Sequence, residues 1–192
     1  MTDEKDFELF PTGNPQNDRV WARSAADVPA RPLVKHSASV SVWGGISANG
    51  TTNLHFYKGT INTNKYLEIL KKMKPEAEAL FGDHHWTFQH DGASAHKSKK
   101  TNAWLENNVP AHITSGPTGE WPANSPDLNT TENVWAILED KLDENPPKTI
   151  PQLKRRLKKA WNELDHTVLA NLAKSMDRRL RDVLAKKVGY VG

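Results

Sequence analysis

The chain has 192 residues, 26 Lys/Arg against 23 Asp/Glu, 36% hydrophobic residues and no cysteine. That length can bury a core of its own, and no apolar run approaches the roughly 18 residues that would cross a bilayer. Without cysteine, a disulfide scaffold, a thiolate zinc site and a cysteine nucleophile are all excluded.

The charge is unevenly placed. Residues 145–192 hold 12 Lys/Arg against 4 Asp/Glu, and residues 1–144 hold 14 against 19. A local basic excess attracts polyanions through counterion release, so nucleic acid is the leading partner class, although a solvated helix face has the same composition. The opening MTDEKDFELF is acidic and lacks the regions of a secretory signal. The chain therefore reads as a soluble intracellular protein, with Asn49-Gly50-Thr51 and Asn129-Thr130-Thr131 as chance glycosylation matches.

Residues 11–32 are rich in Pro, Asn, Asp and Ala, and Asn14-Pro15 and Asn17-Asp18 are turn chemistry, so this stretch reads as loop. Residues 38–47 alternate small polar residues with Val and Trp, interrupted at Gly44-Gly45. Asn49-Gly50 then predicts a hairpin into a second strand over 52–57. Between residues 64 and 81 the set Tyr66, Leu67, Ile69, Leu70, Met73, Ala77, Leu80 and Phe81 has helical spacing, with a kink or break expected at Pro75. Residues 86–90 (WTFQH) read as a short strand that ends at Asp91, followed by a helix from about 95 to 107.

A Pro/Gly-rich loop over 115–126 leads to a helix carrying Val134, Trp135, Leu138 and Leu142, capped by Asn129, Thr130 or Thr131. Leu153, Leu157, Trp161 and Leu164 mark another helix, and Leu169, Leu172, Met176, Leu180 and Leu184 the last. Strands first and helices later predict a mixed α/β layer structure. It is organised as one domain, with residues 1–144 the core and 145–192 a basic helical tail.

Three carboxylates fall where side chains converge at the rim of an α/β sheet: Asp3 ahead of Phe7-Glu8-Leu9, Asp91 at a strand end, and Glu132 in a first helical turn. Each also has a plain structural use, as a terminal charge, a turn residue and a partner of the helix dipole respectively. If they converge, they form a donor set for Mg²⁺, and two such ions clamp an in-line phosphodiester displacement. His84 and His85 are neighbours in an extended segment and point to opposite faces, so they do not share a metal. His90 and His96 bracket Asp91 and read as ordinary partly buried histidines, or as groups that lie near a phosphate or help orient a ligand. Ser94 and His96 lack a nucleophile-elbow pattern.

The runs TDEKDFEL, VWGGISANG, FQHDGASAHKS, EWPANSPDLNTTENVWAIL and KSMDRRLRDVLAKK resemble, in the same order, the catalytic domain of Tc/mariner superfamily transposases, the DDE/D branch of the RNase H-like fold. The resemblance implies a mixed sheet flanked by helices. In the (S/T)-D-E, Q-x-D-(N/G)-A and E-N-x-W segments of that family, the catalytic and metal-binding acids fall on Asp3, Asp91 and Glu132. The implied chemistry is Mg²⁺-dependent cleavage of transposon ends, with Mn²⁺ as a substitute, and attack of the freed 3′-hydroxyl on target DNA. The partners it implies are double-stranded DNA and a second copy of the chain, and the DNA substrate implies the nucleus.

This sequence departs from the family pattern in three places. Forty residues separate Asp91 from Glu132, more than is usual in Tc-like members, with the surplus assigned to residues 115–120. T-T-E-N replaces P-I-E-N. The family has a central strand and helix-turn-helix modules upstream of the first Asp, and only Met1 and Thr2 precede Asp3. The expectation is therefore a truncated copy in which the sheet loses a middle element and Asp3 loses the backbone pairing that fixes it.

A competing reading is a non-catalytic DNA-associated remnant, with phosphate contacts from Lys154, Arg155, Arg156, Lys158 and Lys159, together with Arg178, Arg179 and Arg181, all on exposed helix faces. An RNase H-like nuclease acting on another structure fits the carboxylates but not the SPDLN and SMDRR runs. The run KRRLKK also has the composition of a nuclear import signal, yet Leu153, Leu157 and Trp161 account for it as a helix with a basic face.

Overall fold

The first strand, β1, Thr2–Glu8, runs antiparallel to β2, Ser39–Ser47. The computed structural model describes residues 1–10, 24, 37–113, 121 and 128–186. The 11–32 loop, apart from Ser24, and most of the 115–126 loop lie outside these residues, as do Ser125, Pro126 and Asp127 of the SPDLN run. β2 bends through Asn49-Gly50 into β3, Gly50–Thr51, and also pairs with β4, His55–Tyr57. Gly50 sits at φ 139°, where a side chain would be strained, so the hairpin signal in the sequence is met by a backbone that needs glycine. β2 is continuous through Gly44-Gly45, contrary to the expected interruption. Pairing on both edges holds the strand where propensity alone would break it.

Two apolar layers cover the two faces of this sheet, and the alternation of β2 sorts its side chains between them. Phe7, Val40, Val42 and Ile46 meet α3 (Thr131–Asp143), α4 (Ile150–Asn162) and α5 (His166–Lys186) through Trp135, Leu138, Leu153, Leu157, Trp161 and Leu169. On the other face Trp43 meets Tyr66, Ile69, Leu70 and Met73 of α1, Thr63–Phe81, with Leu105 of α2, Lys99–Asn108. A short parallel pair, β5 (Thr87–Phe88) and β6 (Ala111–His112), extends this side. This is the mixed α/β architecture that the sequence predicts.

α1 runs unbroken through Pro75. The ring is exposed, so the carbonyl it deprives of a partner can face water. α2 starts at Lys99, later than expected, because the Ser98 side chain caps it by accepting from Thr101 N. At α3 the expected capping is divided: Thr130 occupies the cap position without a side-chain bond, and the Asn129 side chain accepts from Thr131 N at 3.1 Å.

The expectation that Asp3 lacks backbone pairing is overturned. Asp3 pairs with Gly44 within β1 and β2, and on the other side Thr2 N donates to Gln89 O at 2.9 Å. This register places Asp3 between β2 and the end of β5.

Gly44 faces the α3 and α4 layer, where Trp135 and Trp161 stack with centroids 5.3 Å apart. A Cβ there would lie 2.6 Å from Trp161 Cη2 and 3.1 Å from Trp135 Cη2. Gly44→Ala is therefore expected to destabilise the chain by roughly 1–3 kcal/mol through overpacking, read as a lowered urea midpoint at unchanged m. An unchanged midpoint would contradict this packing.

Candidate active site

Cross-strand partners in an antiparallel pair share a face, so Asp3 points the same way as Gly44, into the layer that holds Trp135. Its carboxylate is only 8% exposed and accepts from Trp135 Nε1 at 2.9 Å. Trp135 is one helical turn beyond Glu132, on the same side of α3, and Glu132 in the first turn is exposed. Burial, opposed by the Trp135 bond and reinforced by the charges of Glu132 and Glu4, pushes the Asp3 carboxyl up to about 7.

Glu4 is the next residue on β1 and faces the opposite layer, and there it meets a second acidic group. Asp91 follows β5 by three residues. Its Oδ1 accepts from Ala93 N at 2.9 Å and lies 2.6 Å from His96 Nδ1. The other ring nitrogen of His96 is 3.1 Å from Glu4 Oε1. Burial lowers the proton affinity of His96, but the bonds to Asp91 and Glu4 outweigh it and raise the ring to about 9. The same His96 bond holds Asp91 below the usual carboxylate range against its own partial burial.

Behind His96 lies a stack of rings. Tyr66 is 4.0 Å from it between centroids, and His90 is 4.9 Å away at 9° between planes. His90 Nδ1 is bonded to the Tyr66 hydroxyl at 2.8 Å, and burial, with the neighbouring His96, pushes His90 down to about 3.

The predicted acids are thus held in two sets: Asp3 beside Glu132 through α3, and Asp91 with Glu4 through His96. The sets are joined at the backbone by Thr2, whose N and Oγ1 both donate to Gln89 O, two residues before Asp91. Sequence reasoning missed Glu4, favoured an ordinary partly buried histidine for His96 over a group that orients a ligand, and treated Trp135 as apolar core. The Asp-Glu pair in TDE and the five-residue step from Asp91 to His96 are the signals that pointed to them.

The predicted DNA-contacting residues do not form one free cluster. Lys154 Nζ and Lys158 Nζ sit over the Phe56 ring at 5.3 and 5.6 Å. Arg155, Arg156 and Lys159 line a different groove together with Lys141, Glu144 and Glu163. Arg178 and Arg181 are exposed on α5, whereas Arg179 is half-buried and donates to Asn133 Oδ1 at 2.8 Å. The expectation that all of these cations lie on exposed faces is therefore corrected for Lys154, Arg156 and Arg179, which are half-buried; Lys154 lies over Phe56, and Arg179 reaches the α3 residue next to Glu132.

Residues 3–154 match the family described as DDE superfamily endonuclease. The chain belongs to that family. Among curated relatives, the transposable element Tcb1 transposase of Caenorhabditis briggsae is 34% identical over 98% of this chain and 67% of its own length. The Tc3 transposase of Caenorhabditis elegans is 26% identical over 96% of this chain and 54% of its own length. Among solved structures, a Mos1 transposase paired-end complex with the left transposon end superposes with a TM-score of 0.81 at 18% identity, over 100% of this chain and 55% of that one. The Mos1 catalytic domain with Raltegravir and Mg gives 0.66 at 19% identity, over 81% and 78%. The chain spans about two thirds of the Tcb1 transposase and about half of the Tc3 transposase and the full Mos1 chain. It is a Tc/mariner DDE transposase catalytic domain with an RNase H-like fold.

Divalent metal fits the donor set of this transposase domain. Asp3 is a desolvated carboxylate whose charged neighbours are themselves acidic, so ionising it calls for a cation. Carboxylate oxygens are the ligands that Mg²⁺ prefers.

The sign of the pH dependence follows from the raised Asp3 value. The metal-free chain has the full Asp3 contribution to stability below about pH 4 and loses it as pH rises through about 7. Asp3→Asn is expected to melt close to the parent at pH 4 and above it at pH 8, with the gap opening between those values. A gap that is constant with pH would remove the buried-carboxyl assignment.

Proposed function

We propose that this domain performs metal-dependent DNA strand cleavage and strand transfer, with Asp3, Asp91 and Glu132 as the metal-holding acids. The observation that carries this reading is the buried Asp3 carboxylate, pinned by Trp135 Nε1 from the helix that begins with Glu132, on the strand whose Thr2 bonds the segment leading to Asp91. Solved Mos1 catalytic domains with Mg and with Mn, and Mos1 complexes with transposon ends, support the same ions and a double-stranded DNA partner here. They do so by kinship of fold and family. A divalent ion held by these acids would polarise the scissile phosphate and lower the pKa of a bound water or hydroxyl.

The protein's own share is positional. Trp135 fixes the Asp3 oxygens, the first turn of α3 brings Glu132 beside them, and His96 with Ala93 N fixes the orientation of Asp91. The tail supplies phosphate contacts through Arg155, Arg156, Lys158 and Lys159, which position DNA without reading its sequence. Lys154 shares the Phe56 ring with Lys158. Arg178 and Arg181 extend the basic surface along α5. A DNA substrate puts this work in the nucleus, and joining two DNA ends calls for a second copy of the chain.

Nicking of supercoiled DNA in Mg²⁺ or Mn²⁺ tests the reading. Product is expected from the parent chain and is abolished in Asp91→Ala and Glu132→Ala. In the same preparation Arg155→Ala lowers the salt slope of DNA binding by roughly 1, whereas Glu132→Ala leaves that slope alone. DNA binding with a steep salt slope but no nicking by the parent would instead favour the non-catalytic DNA-associated protein.

A further inference from the structure

Of the groups around the proposed metal site, His96 is the one whose role neither the fold nor the carboxylate set explains. It is 2% exposed, yet it gives both ring nitrogens to carboxylates, Asp91 at 2.6 Å and Glu4 at 3.1 Å. A core histidine needs only one partner to be satisfied, and Glu4 and Asp91 come from different elements. The ring is also clamped: Tyr66 and His90 lie against it, and Tyr66 and His90 are bonded to each other. His96 therefore cannot swing away from Asp91 without opening the α1 layer.

On the Asp91 side chain, His96 Nδ1 and Ala93 N both meet Oδ1, so the carboxylate is held from the ring and from its own turn at once.

We propose that His96 is a positioning residue, which fixes the orientation of the Asp91 carboxylate as a metal ligand, and that Glu4 anchors the far side of its ring. This rests on Asp91 being a metal ligand, as proposed above. The arrangement is that of an outer-shell group that orients a ligating carboxylate, and losing such a group commonly costs about 10–100-fold in metal affinity. Nδ1 is the nitrogen that matters for the metal, and Nε2 serves the anchor. The two functions can be separated, because an asparagine amide nitrogen falls near the Nδ1 position and a glutamine amide nitrogen near Nε2.

Mn²⁺ titration of the whole chain, followed by electron paramagnetic resonance and calorimetry, tests this in His96→Asn, His96→Gln, His96→Leu and Glu4→Gln, with a melting curve for each. The expected order places His96→Asn within about threefold of the parent, while His96→Gln and His96→Leu weaken Mn²⁺ by about 10–100-fold. Glu4→Gln leaves the fold intact and weakens binding several-fold. The proposal is overturned if Asn and Gln lose affinity equally, if the losses follow the melting temperatures, or if all variants bind as the parent does. It is also overturned if the bound Mn²⁺ shows a nitrogen coupling that disappears in His96→Leu, since His96 would then be a ligand itself. Asp91→Ala, titrated alongside, separates the two levels. If it binds like the parent, Asp91 is not a ligand and both readings fall. If it loses Mn²⁺ while the His96 series is flat, only the positioning role falls.

Discussion

One hydrogen bond, from Trp135 Nε1 to Asp3, ties the hydrophobic core to the site. The indole is fully buried, edge-on to Phe7 with centroids 5.9 Å apart and stacked on Trp161. Its position is set by apolar packing that has nothing to do with chemistry. Because an indole has one polar atom, which usually finds an acceptor when buried, the packing that places Trp135 also fixes where the Asp3 carboxylate is held. Gly44 makes the arrangement possible: the absent side chain leaves the space that both tryptophan rings fill. Core and site are therefore one construction, and a change in either is felt in the other.

The alternation of a single strand then divides the acids. Asp3 and Glu4 are adjacent on β1 and face opposite layers, so each meets a different environment. Asp3 enters a desolvated, acid-flanked position that raises its proton affinity, whereas Asp91 on the other side is kept ionised by His96. Burying an unpaired charge is costly, and a buried carboxyl usually responds by taking up a proton. Asp3 is therefore the acid whose ionisation depends most on a cation arriving, and Asp91 the acid already prepared for one. That asymmetry comes from neighbours and depth, since the two side chains are chemically the same.

Much of the layer structure was legible in the residues. The spacing of Val134, Trp135, Leu138 and Leu142, and that of Leu153, Leu157 and Trp161, placed α3 and α4 because apolar periodicity is a local signal. The alternation in residues 38–47 predicts β2, but Gly44-Gly45 reads as a break, and the pairing with β1 that carries the strand through both glycines is a tertiary contact that no local pattern records. Pro75 misled in the same way, since its tolerance depends on facing water. At the site, the three acids are named by motif and position, but of the residues that orient them only His96 is singled out, as a neighbour of Asp91. Trp135 reads as core by every local measure. The tie between Glu4 and His96 spans 92 positions in the chain, and no periodicity records a contact of that range.

The basic tail is best understood through the contacts that remove some of its charges from free solution. α4 and α5 contribute Leu153, Leu157, Trp161 and Leu169 to the same core as β1 and β2, so their cations are carried on a rigid layer of the domain. Lys154 and Lys158 rest their ammonium groups over Phe56, where the ring face attracts them and leaves them able to meet a phosphate. Arg179 instead spends a guanidinium nitrogen on Asn133, the neighbour of Glu132. A positive group so close to the exposed acid of α3 links the polyanion-attracting surface to the acidic site through one helix turn.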